Sequence, residues 1–256
     1  MLTNYHTHTW RCHHATGTEE DYVNHAIQGG MRTLGFSDHT PYFFPGDYYS
    51  NFRMFPQQLE DYCNTVQKLK NDYVNQIQIH LGLEVEFYPT LFPRLLEYLR
   101  DYPIEYMLLG QHFIGDEMNE PYSGRPTENE EILKAYCHQV MDAMQTGLFT
   151  YLAHPDLLWF VGDDAVYRKH MTQLCREAKS CGMVLEINGV GLRSGRNYPD
   201  LRFWEIAGQE GCQVLFGCDA HAPEHVCDLE SYEKAQKIAA HCGLTLLNDV
   251  PLRPIR

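Results

Sequence analysis

The stretch Asn4-Tyr5-His6-Thr7-His8-Thr9 sets two imidazoles two residues apart near the start of the chain. On an extended backbone such residues point to one side, where they can share a metal ion. Ser37-Asp38-His39, Gly110-Gln111-His112, Ala153-His154-Pro155 and Cys218-Asp219-Ala220-His221 each close a short apolar run, and Leu83-Glu84-Val85 places a carboxylate inside another. With His14, the set His6, His8, His39, Glu84, His112, His154, Asp219 and His221 comprises nine nitrogen and oxygen donors. A mononuclear catalytic zinc takes three protein ligands and keeps one position open, so this set suits a cluster of two or three divalent ions. Imidazoles with carboxylates match zinc, iron or manganese. Cys12 lies nearby, but the set needs no thiolate, and it reads as a bystander. The histidines His25, His80, His138, His170, His225 and His241 fall in expected helices or mid-strand and read as solvated or packed.

Donors so scattered along the chain need a frame that gathers them. Thr18–Met31 reads as a helix started by a capping box, Thr18 with Asp21, and ended by Gly29-Gly30. A strand Thr33–Phe36 runs into Ser37-Asp38-His39, and residues 41–56, rich in Pro, Tyr and Phe, form a long loop. Leu59, Tyr62, Cys63, Val66 and Leu69 make one stripe of a second helix. Ile77, Ile79, Leu81, Leu83 and Val85 alternate as a strand, which puts Glu84 and Glu86 on its other face. Leu91–Tyr102 follows as a helix, Tyr106–Gly110 as a strand and Gly115–Pro126 as a loop. Thr127 and Glu130 box the start of a long helix to about Thr146, and Phe149–Ala153 is a fifth strand. Next come a helix Asp164–Cys181, a strand Val184–Asn188, a glycine-rich loop Gly189–Gly195, a helix Leu201–Gly211 and a strand Val214–Phe216. A last helix reaches Cys242, and Leu244–Leu247 reads as a terminal strand.

Strand and helix alternating in this way predict a parallel sheet. Donor residues at the C-terminal ends of the strands are the layout of a distorted TIM-like (β/α)7 barrel, with its metal site at that end. A doubly wound sheet would concentrate its site at one switch point. The 256 residues fit a single barrel domain over 1–256.

Nine scattered cysteines without a C-x-x-C pair read as reduced thiols, and with no basic and apolar leader they predict a cytoplasmic protein. No apolar run is long enough to span a membrane. The formal charge of −14 disfavours nucleic acid and anionic membranes as partners. Divalent ions would reverse that sign locally, so a small anionic substrate remains suitable provided the metals are present.

The ordered motifs resemble those of the polymerase and histidinol phosphatase (PHP) superfamily of distorted (β/α)7 barrels. They comprise H-x-H, D-H after the second strand, G-L-E-V-E, an isolated His112, A-H-P and D-A-H, and together cover nearly the whole chain. Gly191-Leu192-Arg193 with Tyr198-Pro199 looks like the histidinol-phosphate phosphatase branch. The resemblance implies three metal sites. His6, His8, Glu84 and Asp219 would form one, Glu84 would bridge to a second with His112 and His154, and His14, His39 and His221 would form the third. His14 is preferred over His13 because the His-Ala step matches the family. Asp38 would orient a ligand, Arg193 would fork onto the phosphate, and His221 or bound water would protonate the leaving alkoxide. The implied reaction is hydrolysis of a phosphomonoester, L-histidinol phosphate in histidine biosynthesis. The family's phosphatases usually carry a small-residue step before the fourth-strand histidine and a longer aromatic-acidic loop after it. Here Gly110-Gln111 takes the first place, and 115–126 falls short of the second pattern.

Other readings are another small phosphomonoester, a phosphodiester, or a non-catalytic metal-binding protein. The absence of a basic stripe counts against nucleic acid, and a degenerate protein would be expected to have lost donors. Metal-dependent amide hydrolases also use H-x-H on a first barrel strand, typically with a bridging carboxylated lysine or a mononuclear site; no lysine lies in a motif strand here.

Overall fold

Alternation along the strands builds a barrel with two different interiors. In the computed structural model, which describes residues 1–118 and 122–255, seven parallel strands follow one another in chain order. They are β1 (Thr3–Asn4), β2 (Thr33–His39), β3 (Gln78–Val85), β4 (Tyr106–Leu109), β5 (Tyr151–Leu152), β6 (Val184–Asn188) and β7 (Val214–Gly217). Beyond β1 and β7 the two strand exits zip together: His8 N donates to Ala220 O at 2.9 Å and Ala220 N to His6 O at 3.1 Å. This closure carries the H-x-H segment against the D-A-H segment.

Eight α-helices lie among the described residues: α1 (Glu19–Gln28), α2 (Leu59–Asp72), α3 (Phe92–Leu99), α4 (Glu130–Gln145), α5 (Asp164–Ser180), α6 (Gly189–Ser194), α7 (Leu201–Glu210) and α8 (Leu229–His241). None is long and apolar enough to cross a membrane. Outward residues such as Ile79, Leu81, Leu83 and Val85 of β3 join helix residues including Tyr62, Val66 and Leu95 in the main core. The lower barrel interior is filled by Tyr5, Tyr106, Leu108, Tyr151, Val184 and Leu215. Gly35 and Gly82 leave the room that the Tyr106 ring occupies, and its hydroxyl donates to Tyr5 O at 2.7 Å. Above this plug the inward positions become polar, and the candidate site begins there.

Three expectations are corrected. The segment 189–195 contains helix α6, because the Asn188 side chain caps it by accepting from Gly191 N at 3.2 Å. Asn129, not Thr127, caps α4, with Oδ1 accepting from Glu131 N. Leu244–Leu247 forms no strand; a bridge of Leu246 to Val214 and one bond from Leu247 N to Val214 O hold it beside β7. Of the expected loop Gly115–Pro126, residues 119–121 lie outside the described residues. The Thr18–Asp21 capping box is present on α1.

At the opposite end of the barrel, Glu105 ties α2 to β3. Its carboxylate accepts from Leu81 N at 2.8 Å and pairs with Lys70 and, at 3.5 Å, with His80. Burial alone would raise its pKa, but the bonds from His80, Lys70 and Leu81 N bring it down to about 2. A depressed carboxylate contributes stability above its ordinary pKa and loses it as pH falls through the folded value. Glu105→Gln is therefore expected to destabilise the metal-free protein at pH 7 by about 2 kcal/mol, after allowance for solvent screening. Urea unfolding should show the gap between variant and wild type closing from about pH 4.5 towards pH 2.

Candidate metal centre

Every strand end except that of β6 delivers one or more donors to a common point. Glu84, near the end of β3, is fully buried and lies at the middle. Its Oε2 stands 3.5 Å from His6 Nε2, 3.5 Å from His8 Nε2 and 3.1 Å from His39 Nδ1. Its Oε1 stands 2.9 Å from His154 Nε2 and 3.7 Å from His112 Nε2. Asp219 Oδ1 lies 3.6 Å from His6 Nε2 and 3.1 Å from His8 Nε2. His14 and His221 meet Nε2 to Nε2 at 2.9 Å, and the His221 ring stacks on His8 at 4.0 Å. The nine expected donors are thus brought together. His13 is turned away, its ring 4.9 Å from Phe55.

Two donors sit on unusual backbone. His154 and Asp219 have φ of 32° and 49°, in the left-handed region that favours glycine. Such conformations cost of order 1 kcal/mol or more and persist where their surroundings hold them. Both turn a side chain inward at the exit of a strand.

The donor atoms fit metal ions. His6 Nε2, His8 Nε2, His39 Nδ1, Glu84 Oε2 and Asp219 Oδ1 are buried and make no hydrogen bond. Ligands about 2.05 Å from a tetrahedral zinc stand about 3.3 Å apart, close to the separations above. The groupings able to share one ion include His6–His8–Asp219, His6–Glu84–His154, His8–His39–Glu84 and His14–His39–His221. A further grouping, His8–Cys12–His221, places Cys12, expected to be a bystander, within reach of the same ion as two of the donors.

The charge balance points the same way. Burial alone would raise Glu84 and Asp219, yet the surrounding imidazoles hold both well below the usual carboxylate range. Burial alone would depress His6, but Glu186, Asp219 and Glu84 hold its ring well above the ordinary value. His8 is raised against its burial by Asp219, Asp38 and Cys12. The carboxylates stay ionised and call for positive charge at their centre, which ring protons or divalent ions can supply. Burial, reinforced by neighbouring rings, pushes His39 and His221 well below neutrality, leaving them in the unprotonated state that metal binding needs.

Several donors have carboxylate partners behind them. Glu186 on β6 bonds His6 Nδ1 at 2.9 Å, and Glu86 bonds His112 Nδ1 at 2.8 Å. Asp38 reaches His8 Nδ1 at 3.4 Å and accepts from His39 N and Thr9 Oγ1. Asn188 donates to Glu186 at 2.6 Å and to Asp219 Oδ2 at 3.1 Å. Glu186 and Asn188 lay unassigned in the motif Val184–Asn188, although alternation with outward Leu185 and Ile187 already turned them inward.

Arg193 requires a correction. Its Nη1 donates to Cys218 O and to Asp228 Oδ2, both at 2.9 Å, and Nη2 to Asp219 O at 3.0 Å. It clamps the turn carrying Asp219 instead of standing free for a phosphate. Arg196, unassigned on sequence, is the freer cation: its Nη1 lies 3.3 Å from the Tyr198 hydroxyl, and no carboxylate pairs with it among the described residues. Both line a cavity of about 390 Å³ above the cluster, with Phe52, Phe113, Tyr122 and Tyr198 among its walls. His225 also lines it, at the end of a short 3-10 helix, Pro223–His225, after β7.

Residues 4–189 match the PHP domain. The chain belongs to the PHP family. Several of its relatives carry the name histidinol-phosphatase. A Deinococcus radiodurans relative named "Probable histidinol-phosphatase" is 28% identical over 236 residues, 88% of either chain. A Schizosaccharomyces pombe protein of the same name is 29% identical over 273 residues, 96% of this chain and 89% of its own. The crystal structure of histidinol phosphate phosphatase from Lactococcus lactis, complexed with zinc, L-histidinol and phosphate, superposes with a TM-score of 0.75 at 20% identity. It covers 96% of this chain and 95% of its own. That likeness bears out the distorted barrel of the PHP fold.

Proposed function

We propose that this protein hydrolyses L-histidinol phosphate to L-histidinol and phosphate, using two or three divalent ions of zinc, iron or manganese. It is a phosphoric monoester hydrolase of the PHP family. The observation that carries the substrate reading is an unpartnered donor cluster at the floor of a cavity with aromatic walls and an arginine rim. The names of the Deinococcus and Schizosaccharomyces relatives support it.

His6, His8, Glu84 and Asp219 would hold one ion, and Glu84 with His112 and His154 a second. His14, His39 and His221 would hold a third. Bound there, the ions would activate water and neutralise the phosphoryl oxygens. The protein's own part is to hold the carboxylates ionised in a buried floor and to fix the imidazoles through Glu186, Glu86 and Asp38. Arg196 at the rim is placed to contact the phosphoester, and Phe52, Phe113 and Tyr122 to pack its organic part. His221, beside the cavity, is the candidate proton donor to the leaving alkoxide.

The test is phosphate release from L-histidinol phosphate beside a panel of other phosphomonoesters and one phosphodiester, with metal counted on the same sample. Strong preference for histidinol phosphate with two or three ions per chain is expected. Activity confined to other esters would discard this substrate and keep the phosphatase; metal without turnover on any ester would leave a binding protein. Arg196→Gln is expected to raise KM about tenfold with the metal count unchanged.

A further inference from the structure

Arg53 is a buried cation in the connection between β2 and α2, only 2% exposed, and the proposed reaction does not use it. Its Nη1 donates to Thr40 O and to Glu86 Oε2, both at 2.9 Å. Its Nε donates to Glu117 Oε2 at 3.0 Å, and Nη2 bonds the same oxygen. The Phe52 ring lies 4.4 Å from the guanidinium carbon. Taking one cation and two carboxylates out of water costs several kcal/mol per ion, so stability alone is weak grounds for such a triad.

Every partner leads back to the metal centre. Thr40 follows His39. The second oxygen of Glu86 is the one that bonds His112 Nδ1 at 2.8 Å. Phe52 stands edge-on to His39 at 5.3 Å, lies 6.2 Å from His112 and stacks on Phe113 at 5.7 Å. Glu117 belongs to the segment that leaves His112. The guanidinium therefore joins the loop before α2 to the segment after β4, and both to a candidate ligand.

We propose that Arg53 is a positioning residue for the ion at His112: it fixes Glu86, which fixes the ring and tautomer of His112, and it anchors Phe52 and, through it, Phe113 in the wall of the cavity. This rests on the metal-centre reading above. Only a planar fork spans Thr40 O, Glu86 and Glu117 at once; a lysine keeps the charge but presents a single nitrogen. A carboxylate behind a ligating histidine typically contributes a factor of about 10 to 100 in metal affinity.

The experiment titrates the metal-free protein with Zn²⁺ against a chromophoric chelator and records the visible spectrum of the Co²⁺-loaded form. It compares wild type, Arg53→Lys, Glu86→Gln and the double variant. In Arg53→Lys one ion is expected to bind about 10 to 100 times more weakly, the others at native affinity, and one cobalt site to change its spectrum. In the Glu86→Gln background the same substitution is expected to add little, because Arg53 acts through Glu86. Native affinity for every ion in Arg53→Lys overturns the proposal, even if its melting temperature falls, since that pattern belongs to a purely structural residue. Full additivity with Glu86→Gln also overturns it. A wild-type protein that binds no ion removes the metal-centre reading, and the proposal with it.

Discussion

Asp219→Asn is expected to lower kcat on the order of a thousandfold while leaving the metal-free fold intact. The change removes a charge and almost no volume. Asparagine tolerates the left-handed backbone that Asp219 adopts, with φ at 49°. The Arg193 clamp survives, because Nη2 bonds the backbone oxygen of residue 219 and not its side chain. What is lost is the ionised oxygen 3.1 Å from His8 Nε2, one of the carboxylate charges that hold the His6–His8 corner ready for a cation. His8→Ala attacks the same corner from the other side, removing the ring that stacks on His221 and its contact with Asp38. Both variants should lose at least one tightly bound ion and keep the circular dichroism of the metal-free protein. Full activity in both would take the cluster out of the reaction.

How much of this was legible in the sequence follows from what spacing can encode. Period-two alternation fixed the faces of the strands: Ile79, Leu81, Leu83 and Val85 outward, Glu84 and Glu86 inward, which the barrel bears out. Residues at strand exits were also legible, since a parallel barrel collects them at one end, and His6 and Asp219 meet there although 213 positions separate them. Hydrogen-bond choice was not legible. Arg193 and Arg196 lie three residues apart with the same chemistry, and only the fold shows that the carbonyls of Cys218 and Asp219, with Asp228, occupy the first. Arg53 was hidden for a related reason. It lies in an irregular loop, where no periodicity assigns a side, and its partners Glu86 and Glu117 come from other segments. The terminal segment Leu244–Leu247 has strand-like composition, but it gains only one bond and one bridge beside β7.

Gly110→Ala is expected to cost nearly as much activity as loss of a ligand, from a single methyl group. Gly110 follows β4, and its N–H donates to Val85 O at 3.1 Å, so its backbone is tied to the neighbouring segment. Its φ lies outside the left-handed region, and an alanine meets no backbone penalty. The added Cβ would instead run into Oε1, Cδ and Cγ of Glu84, closer than real side-chain atoms approach. Overpacking of this kind typically costs about 1–3 kcal/mol, and the strain falls on whichever neighbour can move. The paired backbone of β3 and β4 resists, so the Glu84 carboxylate is displaced. That group stands within 3.7 Å of His6, His8, His39, His112 and His154 at once, and its shift disturbs every candidate ion around it. The variant should lose activity by roughly a hundredfold or more and bind fewer ions, with a modest fall in melting temperature. Gly217→Ala is the graded control. Its Cβ would strike Glu186, which touches the cluster only through His6 and Asn188, so a smaller loss is expected. Equal losses would place Glu186 beside Glu84 in importance; a fully active Gly110→Ala with its complete set of ions would mean that Glu84 serves from another position and is not the bridging carboxylate.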